Sequence, residues 1–315
     1  MSPRTEGFAK SVHVRLVRHA HDIGADPNVV LGRFAVERFL YRLSRSRHAD
    51  RFVLKGAFLL LAWMGETFRP TRDADLLGFG DLSDAALGDT MREVCGVEVS
   101  PDGMLYDAGA IEISSIRRED VYGGKRVMLL GHLGSARLSV QLDIGIGDAV
   151  TPEPDWLEYP SLLGLPSARL RAYRRETVVA EKVHAMVELG SKNSRMRDFF
   201  DVHTLAERAS FTGAALAAAV RATFERRGTA IPKELPLALT PEFARSTEKR
   251  AQWASFRLKS GISGALKLDE ITEQLAPFLA PVLDAARTGK TLSSVWPPGG
   301  PWQAETATIP SGKER

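Results

Sequence analysis

The sequence predicts an α+β (mixed α/β) fold, in which a core with a mixed sheet and N-terminal helices is followed by a helical C-terminal domain. In the first half, short apolar segments that end near glycines alternate with helix-like segments. After a proline-rich stretch, the remaining segments carry apolar residues at helical spacing and abundant alanine. These observations divide the chain into a first domain over 1–160, a helical domain over 161–290 and a loose tail over 291–315.

The first half begins with two amphipathic helices, because apolar residues recur there at helical spacing with arginines between them. We expect these helices over 8–25 and 28–46, another over 83–95 and a buried one in "AFLLLAWMG". Strand composition occurs in "RFVLKG", "DADLLGFG", "IEISSIRR", "KRVMLLGHL" and "ARLSVQLDIGIG", and Gly123-Gly124 predicts a turn.

The proline-rich stretch "TPEPDWLEYPSLLGLPS" predicts the boundary between the two domains. Helices are then predicted in "TVVAEKVHAMVELG", "MRDFFDVHTLAERA" and "GAALAAAVRATFERRG". From about Thr291 the chain is rich in proline, glycine and serine, which is typical of a loosely ordered terminus.

Composition excludes several classes of protein. Hydrophobic residues make up 44% of the 315 residues, so a substantial core is possible and global disorder is excluded. The net charge of +3 is too small to indicate nucleic-acid binding by itself. The single cysteine, Cys95, excludes an internal disulfide and fits a reducing compartment. Without a signal-like start or a long apolar stretch, we expect a soluble cytoplasmic protein with no membrane contact.

The stretch "RPTRDADLLGFGD" places two carboxylates on a predicted strand. Residues i and i+2 of a strand point to the same face, so Asp73 and Asp75 direct their side chains toward one place. Two neighbouring carboxylates repel each other unless a cation compensates them, and Mg²⁺ is the usual cation where carboxylates share it with a substrate phosphate. The pattern predicts a metal site, although by itself it also fits an exposed edge strand.

Three neighbouring features favour the metal site. Gly56 ends the preceding strand, where glycine lets backbone N–H groups approach an anion, although an ordinary strand-to-helix turn has the same composition. Asp143, in "VQLDIGIG", offers a third carboxylate that can position metal ions and accept a proton, or that simply marks a strand end near solvent. Arg69 and Arg72 can contact phosphates or pair with the aspartates.

The chain has, in order, a strand that ends in glycine, a helix, a strand with two aspartates and a later strand with a single aspartate. This order resembles the core of polymerase-β-like nucleotidyltransferases. More narrowly, the chain is similar to the AbiEii/AbiGii-type toxin nucleotidyltransferases from about residue 8 to about residue 230. The segments that carry this resemblance are "RFVLKGAFLLLAWMGETFRPTRDADLLGFGD", "YGGKRV", "LDIGIGDAVTP" and "YRRETVVAEKVHAMVELGSKNSRMRDFFDVHTL".

The resemblance implies a catalytic site that the helical domain completes as a cleft. Some members of the family add nucleotides to the 3′ ends of tRNA and so block translation. Asp73 and Asp75 fall on the metal-binding pair of the family. Lys182 falls on a lysine that contacts the phosphates of the nucleotide, and Asp198 on a required aspartate.

We therefore expect Asp73, Asp75 and Asp143 to bind metal, and the same three with Lys182 and Asp198 to be catalytic. The nucleotide-binding residues that we expect are Gly56, Ala57, Arg72 and Lys182. The superfamily usually has Gly-Ser or Gly-Gly where this chain has Gly56-Ala57, which removes one hydroxyl contact to phosphate.

Without the resemblance, the second half has simpler interpretations. Lys182 borders an apolar helix face, from which a lysine usually reaches solvent. Asp198 and Asp201 fit charges that favour a helix N-terminus. The basic segments 169–175, 192–197 and 221–227 are typical of solvated faces, but they would hold an RNA backbone if they converged beside the cleft.

The predicted function is that of a Mg²⁺-dependent nucleotidyltransferase toxin, with two ions at the site, that transfers a nucleotide from an NTP to an RNA end, above all the tRNA 3′ end. A cognate antitoxin is the partner that the family implies. Two alternatives stay open. One is a kinase that transfers the γ-phosphate to protein or RNA, and the other is a catalytically degenerate module that binds nucleic acid or a partner.

Overall fold

The computed structural model describes residues 3–65, 71, 73–116, 123–262 and 266–305. The chain divides into two compact units. The first comprises Met1–Asp148 and Pro154–Tyr173, and the second comprises Ala149–Glu153 and Arg174–Arg315. The first unit therefore extends beyond the predicted boundary at residue 160, because a strand that follows this boundary pairs within its sheet.

The first unit contains both helices and strands, as predicted. Its helices are α1 (Pro3–Asp22), α2 (Pro27–Arg45), α3 (Gly56–Met64) and α4 (Asp84–Cys95). Its strands are β1 (Phe52–Lys55), β2 (Asp73–Gly78), β3 (Met104–Tyr106), β4 (Glu112–Ile116), β5 (Gly124–Leu133), β6 (Ala136–Ile146), β7 (Asp155–Tyr159) and β8 (Ala168–Ala172). Of the predicted turn, Gly124 opens β5, and the preceding residues 117–122 lie outside the described part.

The eight strands form one mixed sheet, which confirms the predicted sheet type. The order along the sheet is β3-β5-β6-β2-β1-β8-β7, and β4 also pairs with β5. The pairs β2·β6 and β1·β8 are parallel, whereas β1·β2 and β5·β6 are antiparallel. Ala74 and Leu76 of β2 and Leu142 and Ile144 of β6 are fully buried, so this face of the central strands packs into the core.

The proline-rich stretch is not only a connection between domains. Its residues Asp155–Tyr159 form β7, which pairs antiparallel with β8. Tyr159 is fully buried and its ring stacks on that of Phe58 at 5.3 Å between centroids. The abundance of proline predicts a boundary here, but the five consecutive residues without proline supply an edge strand.

Helix α2 anchors the first unit through charges that are buried. Both carboxylate oxygens of Asp102 accept hydrogen bonds from Arg42, at 2.7 and 3.0 Å, and the carbonyl of Met104 accepts another at 3.0 Å. Burial disfavours the charged guanidinium, but the carboxylate of Asp102 outweighs this and raises the pKa of Arg42. The predicted amphipathic helix therefore also carries arginine on its inner face.

The second unit is predominantly helical, as predicted. Its helices are α5 (Arg175–Leu189), α6 (Met196–Arg208), α7 (Gly213–Arg226), α8 (Pro241–Arg245), α9 (Thr247–Ser260) and α10 (Leu268–Thr288). A small antiparallel sheet accompanies them, formed by β9 (Phe211–Thr212), β10 (Ser294–Trp296) and β11 (Gln303–Ala304) in the order β11-β10-β9. Among the described residues, no helix combines the length and the hydropathy that a membrane span requires.

The end of the described chain is packed, which differs from the predicted loose tail. Trp296 is almost fully buried, and its indole N–H donates to the carbonyl of Ala206 at 2.8 Å. The indole of Trp302 donates to the carbonyl of Phe278 at 3.0 Å and stacks on the Phe278 ring. The two tryptophans bury large aromatic surfaces against α6 and α10, which outweighs the flexible composition around them.

Candidate active site

Charged side chains form a row across four adjacent strands of the first unit. Lys55 of β1 pairs with Asp75 of β2, Asp75 pairs with Asp143 of β6, and Asp143 pairs with Arg126 of β5. Directly paired residues point to the same face of a sheet, so these four side chains lie side by side. Asp73 lies two residues before Asp75 on β2 and therefore shares their face.

The two aspartates of β2 stand on the polar face of the central strands, as their spacing predicts. Asp73 is exposed and Asp75 is half-buried, while Ala74 and Leu76 between and after them are buried on the other face. Because side chains alternate along a strand, both charges lie outside the core while the apolar residues between and after them lie inside it. The apolar residues hold the strand, and the carboxylates remain accessible.

Gly56 packs directly against the side chain of Asp75. It is the first residue of α3 and has a φ of +70°. A Cβ atom at this position would lie 2.6 Å from Cγ and 2.7 Å from Cβ of Asp75, and closer still to its Oδ2. Both the backbone conformation and the space thus require glycine, which explains the residue more specifically than an ordinary strand-to-helix turn does.

We predict that Gly56→Ala strongly lowers any catalytic activity that depends on Asp75, because the new methyl group must displace the Asp75 carboxylate. The backbone conformation alone should cost about 1–2 kcal/mol of stability. Gly24→Ala is the matched control, since Gly24 has a φ of +67° and no heavy atom lies within 4 Å of where its new methyl group would stand. Thermal unfolding and activity of both variants separate the two effects. Equal activity losses in the two variants would contradict the proposed contact with Asp75.

Asp143 is held by Arg126. Nε and Nη2 of Arg126 donate to the two carboxylate oxygens at 2.8 Å each, and the amide of Gln141 donates to Oδ1 at 3.2 Å. The pKa of Arg126 is raised, chiefly by its hydrogen bond to Asp143 and further by the charges of Asp73 and Asp75. This arginine, which sequence reasoning missed, therefore supplies positive charge to all three carboxylates.

The donor set fits Mg²⁺ in part. Asp73 and Asp75 offer carboxylate oxygens on one accessible face, and Mg²⁺ commonly binds through one or two carboxylates plus substrate phosphates and water. Asp143 differs, because both of its oxygens already accept hydrogen bonds from Arg126. Within the described residues, no group of three or more His, Cys, Asp or Glu side chains is arranged to hold a metal ion. The geometry thus favours Asp73 and Asp75 as the primary ligands.

A second ion pair lies at one end of the row. The ammonium group of Lys55 contacts the carboxylate of Asp148, and both side chains are about nine-tenths buried. The Lys55 ammonium also lies 5.6 Å from the centre of the Tyr173 ring. Lys55 is therefore fixed within the first unit on the strand beside Asp75.

In the second unit, helices α5 and α6 bring Lys182 between two aspartates. Its ammonium donates to Asp198 Oδ1 at 2.6 Å and to Asp201 Oδ2 at 2.8 Å. The side chains of Lys182, Asp198 and Asp201 are 14%, 8% and 0% exposed. Burial would lower the pKa of Lys182, but the two carboxylates outweigh it and raise this pKa. Lys182 thus does not extend into solvent, and the aspartates do more than favour a helix terminus.

The remaining predicted residues have different outcomes. Ala57 is the second residue of α3, next to Gly56. Arg72 and Arg69 lie outside the described residues. The position of Arg126 was predictable from the sequence. A two-residue turn at Gly134-Ser135 fixes the register of β5 and β6. Counting back from that turn places Arg126 opposite Asp143.

Comparison with known proteins gives a family model and similar solved structures. A family model described as "Nucleotidyl transferase AbiEii toxin, Type IV TA system" matches residues 38–274. A search of curated proteins gives no significant match. One similar structure is a candidate nucleotidyltransferase from H. pylori, with 16% identity, coverage of 82% of this chain and 95% of that chain, and a TM-score of 0.43. Another is JHP933 from Helicobacter pylori, with 16% identity, coverage of 81% of this chain and 90% of that chain, and a TM-score of 0.41.

Proposed function

Since this chain belongs to the AbiEii family of nucleotidyltransferase toxins, we propose that it transfers a nucleoside monophosphate from an NTP to the 3′ end of an RNA, most specifically tRNA. The family match confirms the resemblance on which the sequence prediction depends. The observation that supports the site is the arrangement of Asp73, Asp75 and Asp143 on one face of the sheet. Toxin–antitoxin membership supports a nucleotide substrate and a cognate antitoxin as partners.

The proposed reaction exchanges a phosphoanhydride bond of the NTP for a phosphodiester bond to the RNA. The 3′-hydroxyl oxygen of the acceptor bonds to the α-phosphorus, the bond from that phosphorus to the β-phosphate oxygen breaks, and pyrophosphate leaves. Bound Mg²⁺ would supply neutralisation of the triphosphate charge. Asp73 and Asp75 would hold it, and two ions are expected from the family.

Asp143 is the proposed acceptor for the proton of the attacking hydroxyl. A carboxylate offers about four acceptor directions. Arg126 and Gln141 account for three hydrogen bonds to Asp143, so an incoming hydroxyl can still donate to it. The two-point contact with Arg126 would keep the Asp143 carboxylate correctly oriented until the proton is transferred.

Lys182 is the proposed phosphate contact of the second unit. An ammonium group has three N–H donors. Asp198 and Asp201 accept two of them, so a third can donate to a phosphate oxygen. The two aspartates would then act as positioning residues that keep the ammonium charged and directed.

The proposal is tested by transfer of label from NTP to RNA. Purified protein is incubated with deacylated tRNA, Mg²⁺ and each NTP labelled at the α-phosphate, and the label is expected at the tRNA 3′ end. Periodate-treated tRNA, which lacks the terminal diol, is the acceptor control and should stay unlabelled. Label that enters only from γ-labelled NTP would show the kinase alternative instead, and RNA binding without any turnover would favour the degenerate binding module.

A further inference from the structure

An open groove in the second unit carries positive charge. It lies between the start of α6 and the part of α9 from Ala251 to Lys259, and it has a volume of about 620 Å³. This volume is within the range of ligand-binding pockets. Its lining includes Arg195, Arg197 and Lys259, and no acidic residue. The groove therefore fits an anion.

The three cations of the groove are available to a ligand. Arg197 and Lys259 are exposed, and Arg195 is half-buried. Within the described part of the chain, none of these three side chains forms an ion pair or a side-chain hydrogen bond. Three convergent cations without compensating carboxylates repel one another, and a bound polyanion would relieve that repulsion.

Other basic side chains of the predicted RNA-binding segments serve the fold instead. Arg221 donates to the carbonyls of Ala286 and Ala285 at 2.9 and 3.1 Å. Arg169 lies over the ring of Trp156 at 5.0 Å. Of the three segments predicted from sequence, 192–197 is the one that contributes to the groove, and α9 adds a cation that sequence reasoning missed.

The start of α6 adds a favourable potential to the groove. This helix has 13 residues, and its N-cap residue Arg195 makes no side-chain capping hydrogen bond. The N-terminus of a helix attracts anions through its dipole and its N–H groups. Asp198, the acidic residue of the first turn, is buried against Lys182 and does not line the groove.

Phe256 gives the groove an aromatic wall. It is half-buried, and its ring packs near those of Trp253 and Phe200 at 5.3 and 5.9 Å between centroids. A ring that is fixed from behind and open toward a cationic groove suits base stacking beside a phosphate backbone. An acidic peptide would use the cations but not this wall.

We propose that the groove between α6 and α9 binds the sugar–phosphate backbone of the RNA acceptor, with a base against Phe256. The choice of RNA rests on the proposed transfer to an RNA end. Arg197 and Lys259 contact successive phosphates, and Arg195 supports them from the half-buried side. The groove thereby holds the acceptor independently of the nucleotide.

The test compares two double variants of equal charge. Arg197→Gln with Lys259→Gln alters the groove, whereas Lys233→Gln with Lys290→Gln removes two exposed cations that do not line it. Binding of a fluorescent single-stranded RNA and of tRNA is measured by anisotropy over a salt series, without NTP or Mg²⁺. The groove variant should bind about tenfold more weakly, and its slope of log K against log salt should fall by about 1.4, or about 0.7 per lost phosphate contact. The control variant should match the wild type.

Three further results decide the proposal. An unchanged slope in the groove variant overturns it. An equal loss of NTP affinity in calorimetry also overturns it, because the groove would then serve the nucleotide. Phe256→Leu should weaken RNA binding but not heparin binding, and an equal effect on both would reject base stacking. Since binding needs no turnover, a blank transfer assay with groove-dependent RNA binding would refute the proposed function and support the groove.

Discussion

Asp75→Asn is expected to lower transfer activity by at least about 10²–10³-fold, a loss typical of removing one key electrostatic group from an active site. Asp75 stands in the centre of the row, between Lys55 and Asp143, and packs on Gly56. Asparagine keeps the shape of the side chain but removes the charge that a divalent cation requires. Activity is measured as incorporation of α-labelled NTP into tRNA.

The fold should tolerate this change. The carboxylate is half-buried, and repulsion from Asp73 and Asp143 opposes its attraction to Lys55 and Arg126, so its neutralisation should alter the free energy of unfolding by no more than about 1 kcal/mol. Glu158→Gln is the control, because Glu158 is an exposed carboxylate on β7 of the same sheet. A folded Asp75→Asn variant with wild-type activity would exclude the carboxylate row as the catalytic site.

Metal binding gives a readout that does not depend on turnover. Mn²⁺ can replace Mg²⁺ at carboxylate sites and is visible by electron paramagnetic resonance. In the absence of substrate, the Asp75→Asn variant should bind Mn²⁺ more weakly than the wild type. The Glu158→Gln control should bind Mn²⁺ as tightly as the wild type. Equal Mn²⁺ affinity in all three proteins would show that Asp75 is not a metal ligand.

Lys182→Met is expected to destabilise the protein by about 3–5 kcal/mol and to abolish transfer. Methionine keeps an unbranched side chain one atom shorter than that of lysine, but leaves the buried carboxylates of Asp198 and Asp201 without their shared cation. Breaking a buried ion pair by removing one partner costs this much, because the remaining charge is uncompensated. Urea unfolding followed by tryptophan fluorescence measures the loss.

A triple variant separates stability from catalysis. Lys182→Met combined with Asp198→Asn and Asp201→Asn removes the uncompensated charges, so much of the lost stability should return. Transfer should not return, because the proposed phosphate contact of Lys182 is still missing. Restored activity in the triple variant would show that Lys182 is needed for stability and not for transfer.

The pH dependence of the Lys182 effect follows from its raised pKa. A lysine whose pKa is higher in the folded state contributes full stability below its ordinary value of 10.5 and loses that contribution as the pH rises through the raised value. The difference in stability between the wild type and Lys182→Met should therefore be constant around neutral pH and shrink above 10.5. A difference that shrinks already near neutral pH would contradict this assignment.

The sequence determined the elements and the faces of the central strands. Period-two alternation around Asp73 and Asp75 predicts a strand with both carboxylates on one side, and the structure has that strand. Helices α5, α6 and α7 are predictable because apolar spacing is a local property of the chain. The family resemblance, which depends on the order of such elements, is likewise readable from sequence.

The partners of each charge were decided by tertiary structure. Local pattern predicts that Lys182 reaches solvent, but packing of α5 on α6 places two carboxylates around its ammonium. Composition predicts a loose end, but Trp296 and Trp302 find aromatic and carbonyl partners far away in the chain. No short segment of the sequence predicts either outcome, because the contacting residues are far apart in the chain.

What the sequence determined by itself, then, is the order of helices α1–α7 and of strands β1, β2 and β4–β6, the position of the carboxylates and the family. What only the tertiary structure decided is that Gly56 lies against Asp75, that Asp198 and Asp201 hold Lys182, and that α6 and α9 line a cationic groove. The physical reason is that periodicity fixes the face on which a side chain lies. The free energy of a charge depends on which groups compensate it, and strand register and helix packing decide that.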